Sequence, residues 1–179
     1  MTSLFAKPPI AQTDFKTLIK DGRLRLLFDH WSAVRAGRKL PAWPDIDPTE
    51  IAPVLPVIWS WRLDDQGHLR GRLAGEDIIA VFGTGIRGKL LNEFFLPGVT
   101  EIADVRYRRV MSEPSCCHMQ GTIFTSNGRP GNGERIVLPL GTDREHGDSV
   151  LGATAYAPLA RHPGFTPQGF VNSTYIRVP

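Results

Sequence analysis

Near the start of the chain, apolar residues recur at helical spacing. Phe15, Leu18 and Ile19 form one face of a short helix, which Gly22 is expected to close. From Arg23 to Ala36, Leu24, Leu27, Phe28, Trp31 and Val34 share a second helical face, with Gly37 as the expected C-cap. Asp45 to Leu55 carries a helix start signal, with Asp47 to cap, Pro48 in the first turn and Glu50 behind it. Pro53 and Pro56 keep that helix short.

The period then changes to two. Val57, Trp59, Trp61 and Leu63 alternate with Ile58, Ser60 and Arg62. After Asp64-Asp65-Gln66-Gly67, Leu69, Gly71 and Leu73 alternate with Arg70 and Arg72, which predicts a β-hairpin. Two short helical pieces follow, Glu76–Phe82 and Lys89–Phe95, parted by Gly83, Gly85 and Gly88. Past Pro97-Gly98, Val99 to Met111 reads as a longer helix. Three strand-like runs come last: Cys116–Thr125, Glu134–Leu140 and Ser149–Tyr156. Asn127 to Gly133 and Asp143 to Asp148 are expected to be turns. Strands and helices do not alternate regularly, so a parallel sheet is not expected. The order predicts an α+β fold: a five-stranded antiparallel sheet with short helices on one face and an N-terminal helical extension.

The expected organisation is a leader with a short helix over 1–22, a domain over 23–156 and a surface tail over 157–179. In the strand from Cys116, the set Cys117, Met119, Gly121 and Ile123 is the more apolar and is expected to face the helices. That puts Cys116, His118 and Phe124 on the outer face. Leu24, Leu27, Phe28 and Trp31 are the candidate interface residues, with Phe124. Their helix is expected to cover the outer sheet face, within one chain or across a dimer.

Composition narrows the function. Hydrophobic residues make up 41% and charged residues 22%, and the formal charge is +3. With no basic tract, nucleic-acid binding is not indicated. The two cysteines, Cys116 and Cys117, are adjacent, an arrangement that disfavours a bridge between them and fits a reducing compartment. No apolar run approaches the roughly 20 residues of a membrane span. A cytoplasmic protein without a membrane association is the expectation.

Gly83 to Lys89 spells both GxGxxG and GxxxxGK, patterns that bring backbone amides to phosphate oxygens. Leu90 stands where a magnesium-binding hydroxyl belongs, and Pro97-Gly98 cuts short the helix a dinucleotide loop needs. The alternative to a nucleotide-binding enzyme is a set of turns between short helices. Arg106 falls between Val99 and Ile102 on the expected apolar face of its helix. There it either anchors an acidic ligand or reaches a structural acid or water. Tyr107 and Met111 flank it. His118 is the candidate for a haem-based sensor, although Val99–Met111 holds no histidine. No metal-ligand spacing occurs and no cofactor is required. No acid falls on an apolar strand face, so a conventional acid–base enzyme is not expected.

Several stretches together resemble the proteobacterial PAS family of small, often stand-alone PAS proteins. They are Trp31 with Arg35 to Pro41, Asp45 to Pro48, Arg72-Leu73-Ala74-Gly75, Phe82-Gly83, Gly88-Lys89-Leu90, Tyr107 to Val110 and Leu138-Pro139-Leu140. They cover roughly residues 24–155. The resemblance implies a sensory, signalling or protein-interaction module rather than an enzyme. It would take a small organic ligand in its core or act by contact alone, through a signalling partner or a homodimer. Similar proteins carry an aromatic residue where this chain has Gly71. Trp59 or Trp61 is then expected to lie over Gly71, or space opens beside the sheet. Arg106, Tyr107, Met111, Gly71, Trp59 and Phe82 are accordingly the candidate pocket residues.

Overall fold

The computed structural model describes residues 12–124, 130–158 and 172–178. Helix α1 spans Gln12–Leu18 and α2 spans Gly22–Arg35. Gly22 opens the second helix rather than closing the first. Asp21 is the reason: its side chain accepts the Arg23 N–H at 2.8 Å and caps α2. The helix leaves through left-handed Ala36 and Gly37, at φ 48° and 79°. The helix expected over 45–55 does not form as a unit. Asp47 Oδ1 accepts from the Thr49 N–H at 2.8 Å and the Thr49 hydroxyl at 2.7 Å, so the start signal builds a turn. Short 3-10 pieces flank it, at Trp43–Asp45 and Ala52–Val57.

The sheet comprises β1 (Ile58–Leu63), β2 (Leu69–Ala74), β3 (Ser115–Phe124), β4 (Pro130–Leu140), β5 (Ser149–Pro158) and β6 (Asn172–Arg177). All pairings are antiparallel, in the order β2-β1-β5-β4-β3-β6. Two sequence expectations are corrected here. Residues 130–133 belong to β4, paired with the end of β3, and not to a turn. The expected tail contains β6, whose residues pair with Ser115–Gln120. Without β6, β3 would be an edge with a row of unpaired backbone groups. Tyr175 and Ile176 of β6 point to opposite faces and extend both cores.

Helices α3 (Glu76–Phe82), α4 (Leu91–Phe94) and α5 (Val99–Ser112) cover the inner face. Cys117, Met119, Val137 and Val150 of the sheet join their core. The outer face carries Cys116, Ile136, Leu138, Leu151 and Ala153, under α1, α2 and the 3-10 segments. The fold is therefore α+β, with the sheet between two helical layers.

Helix α5 sits in a different phase from the one expected. It buries Ala103, Tyr107, Val110 and Met111, while Val99, Ile102 and Val105 remain exposed. Burying Ala103, Tyr107, Val110 and Met111 together removes more apolar surface than burying Val99, Ile102 and Val105. Ala103 lets that face approach the sheet closely.

Candidate functional site

The inner face holds the candidate site. Trp59 is registered opposite Gly152 of β5. A Cβ on Gly152 would come within 2.2 Å of the Trp59 ring, so the missing side chain lets the indole lie flat on the sheet. In that pose its Nε1–H donates to Thr154 Oγ1 at 2.9 Å. The same hydroxyl oxygen accepts from Arg135 Nε at 2.8 Å, because Arg135 and Thr154 face each other across β4 and β5. The Arg135 guanidinium stands 5.5 Å from the centre of the Trp59 ring. Tyr107 of α5 closes this side, 5.3 Å from Trp59 between ring centres.

An aromatic cluster forms the opposite wall. Phe82 and Phe94 lie 4.6 Å apart between ring centres, Phe94 and Phe95 4.8 Å, and Trp61 and Phe94 5.9 Å. The cavity between the walls measures about 20 Å³. That is room for about one water molecule, so this conformation is essentially filled. Burial pushes the Tyr107 phenol above its ordinary pKa, against the pull of Arg135 and Arg106. Burial also lowers the Arg135 pKa, and the like charge of Arg106 adds to that.

The six expected pocket residues are divided by the fold. Trp59, Phe82 and Tyr107 line the cavity. Met111 is buried in the same core without lining it, and its main chain lies where a Cβ on Gly147 would fall. Arg106 turns toward β6, with Nη2 3.5 Å from Ser173 Oγ and a buried Nε that no hydrogen bond satisfies. Its displacement follows from the phase of α5. The expected overlay or opening at Gly71 is replaced by main chain: a Cβ there would come within 2.1 Å of the Ile86 carbonyl oxygen.

That contact also explains the glycine loop. Gly71 N–H donates to Lys89 O at 2.8 Å, and Gly88 N–H donates to Gly71 O at 2.8 Å. Gly83, at φ 71°, ends α3 by donating to Ile79 O at 2.7 Å. Lys89 Nζ donates to Thr84 Oγ1 at 2.6 Å. The amides of Gly83 and Gly88, which a phosphate cradle would use, are spent within the fold. Helix α4 behind the loop has only four residues. The loop is a strap along the free edge of β2.

A second polar cluster lies on the outer face. His118 Nε2 and Glu134 Oε1 are 2.8 Å apart, both side chains buried. Glu134 also accepts the backbone N–H groups of Lys20 and Asp21, each at 2.7 Å. An acid therefore does stand on an apolar strand face, contrary to expectation, as a structural tie beneath the α1–α2 junction. His118 meets the edge of Phe15 there, across the sheet from the cavity. Leu24, Leu27, Phe28 and Trp31 cover the outer face of their own chain's sheet. The Phe124 side chain lies outside the described residues.

Both cysteines are free, buried and on opposite faces. Burial pushes the Cys117 thiol up to about 11, although Arg106, Arg135 and Arg109 oppose it. Burial raises Cys116 further. At pH 8 about a thousandth of Cys117 would be thiolate. Native protein should therefore leave an aromatic disulfide reagent almost unreacted, and denatured protein should react at both thiols. Rapid labelling of the native fold would contradict this burial.

Sequence reasoning missed Arg135, Thr154, Phe94 and Phe95, and placed Trp61 only as a cover for Gly71. The adjacent charges Glu134-Arg135 were the available signal. In a strand buried on both faces, two neighbouring charges must enter opposite cores. No helix among the described residues is long and apolar enough to cross a membrane. Comparison with curated proteins and with solved structures returned no match. A model described as a PAS domain matches residues 19–155, more than half of the chain, and spans β1 to most of β5; the chain belongs to the PAS domain family.

Proposed function

We propose that this chain is a sensory module that takes a small organic ligand at its inner face and signals by contact with a partner protein or a second copy. PAS domains are in general sensory, non-enzymatic modules. The observation that carries the ligand reading is the two-sided lining of the cavity. Aromatic rings form one wall, while Arg135 and Thr154 stand at the other. Such a lining suits a small planar molecule with a polar end. Entry requires Phe82, Phe94 and Phe95 to move. They sit on or beside short helices bounded by Gly83, Gly88 and Gly98, all at positive φ. Short elements of this kind open locally at lower cost than the long strands and helices around them.

The test is native mass spectrometry of freshly purified protein, followed by a thermal-shift screen of planar carboxylic acids and heterocycles. Trp59 and Trp61 line the site, so a bound ligand should also change tryptophan emission. An Arg135→Gln variant that remains folded should lose that response. No co-purified molecule, no thermal shift and no change in emission would remove the ligand reading and leave contact alone.

A further inference from the structure

The outer helical layer leaves the far end of the β1–β2 hairpin uncovered. An open groove of about 300 Å³ lies there, lined by Arg62, Arg70, Arg72 and Arg87, with Gly71 and Gly88 at its floor. We infer that this groove binds a small phosphate-bearing molecule through its four guanidinium groups.

The placement of the arginines is the main argument. Arg62 and Arg70 are direct partners in the β1–β2 ladder. Like charges in that position destabilise a sheet unless an anion joins them. Trp61 pairs with Gly71 and Ser60 with Leu73, so Arg72 is the extra residue of a bulge. The bulge turns Leu73 onto the outer core and leaves Arg72 beside Arg70. Arg72 stacks on Trp43, 4.0 Å from the ring centre, which fixes its plane and leaves its N–H edge for hydrogen bonding.

The charges are only partly compensated. Asp64 is the single carboxylate in the lining, and it is paired with Arg70 at 3.0 Å. It also accepts the Gln66 and His68 amides of the hairpin turn, at 3.0 Å and 2.9 Å. Asp148 attracts Arg72 from the β5 side, but it holds the Thr142 N–H and the Ser149 hydroxyl. Burial and the Arg62 charge together lower the Arg72 pKa. Arg62 and Arg87 are exposed and form no ion pair among the described residues. Arg70 is held by Gly88 O at 2.8 Å as well as by Asp64, so the floor is preorganised.

The groove's shape selects the ligand class. Its volume is at the lower end for small-molecule sites, near about 300 Å³. Its lining offers no aromatic platform for the bases of a nucleic-acid strand. The 86–90 strap already pairs with the β2 edge, through Gly71 and the Arg70–Leu90 bridge, so a peptide cannot add there as a strand. Planar guanidinium forks match phosphate oxygens in pairs.

Isothermal titration of the full chain with pyrophosphate, ATP and GTP at low ionic strength tests the site. Pyrophosphate should bind with one-to-one stoichiometry and weaken as salt rises. Arg62→Gln and Arg87→Gln alter exposed side chains and should not lower the melting temperature. Each should weaken binding about tenfold, and the double variant more. Tighter binding of ATP or GTP than of pyrophosphate would add a nucleoside contact to the same site. No binding of any of the three, or equal binding by the double variant, overturns the inference. So does binding of polyglutamate or duplex DNA where pyrophosphate fails. The inner-face reading is independent, because the two linings share no residue and Arg62→Gln should leave the Trp59 and Trp61 response in place.

Discussion

Replacing Glu134 with alanine should destabilise the domain by about 3–5 kcal/mol. The carboxylate is buried and serves three donors at once: the Lys20 and Asp21 amides at 2.7 Å and His118 at 2.8 Å. Those two amides lie where the chain turns from α1 into α2. Alanine would leave both amides and the imidazole without an acceptor in an apolar layer, and would open a void. Glu134→Gln keeps one oxygen but directs an NH₂ group at a donor, so its loss should be intermediate, about 1–3 kcal/mol. Urea denaturation of the three proteins measures both effects. A change below about 1 kcal/mol for the alanine variant would show that the tie carries no stability.

Trp31→Ala should cost a similar amount, about 3–5 kcal/mol. The Trp31 side chain is fully buried, stacks on Phe28 at 6.4 Å between ring centres, and donates to the Pro139 carbonyl at 2.9 Å. Truncation removes a large apolar area and the buried hydrogen bond to that carbonyl. Concentration dependence matters as much as size. Because α2 covers the sheet of its own chain, the loss should be the same from low to high protein concentration. A loss that shrinks as concentration rises would mean that the helix docks across a dimer.

How much was legible depended on the element. The β1–β2 hairpin and α3 follow directly from the sequence, since both are bounded by turn residues on each side. The inward set Cys117 and Met119 was also legible, because strand alternation leaves only two choices. The phase of α5 was not. Its apolar residues occupy nearly all directions, and Val99, Ile102 and Val105 make as regular a stripe as Tyr107, Val110 and Met111. Arg106 followed the wrong stripe. Strand β6 is a short run beyond several prolines, and its reason to form is the β3 edge it covers.

The candidate sites divide in the same way. Trp59, Tyr107 and Phe82 could be found from local pattern, since each is a large apolar residue on a recognisable element. Arg135 and Thr154 could not, because their meeting depends on the β4–β5 register. The arginine groove depends on a bulge and on the 86–90 strap, which no local pattern announces.

By itself, the sequence determined the α+β class, the order of most elements and the two faces of β3. Those depend on periodicity and turn chemistry, which act between near neighbours. Tertiary structure decided which stripe of α5 is buried, what fills the space at Gly71, and which charges enter the two cores. These depend on volume, strand register and close backbone approach between residues far apart in the chain. Such contacts compete globally, and only the assembled sheet selects among them.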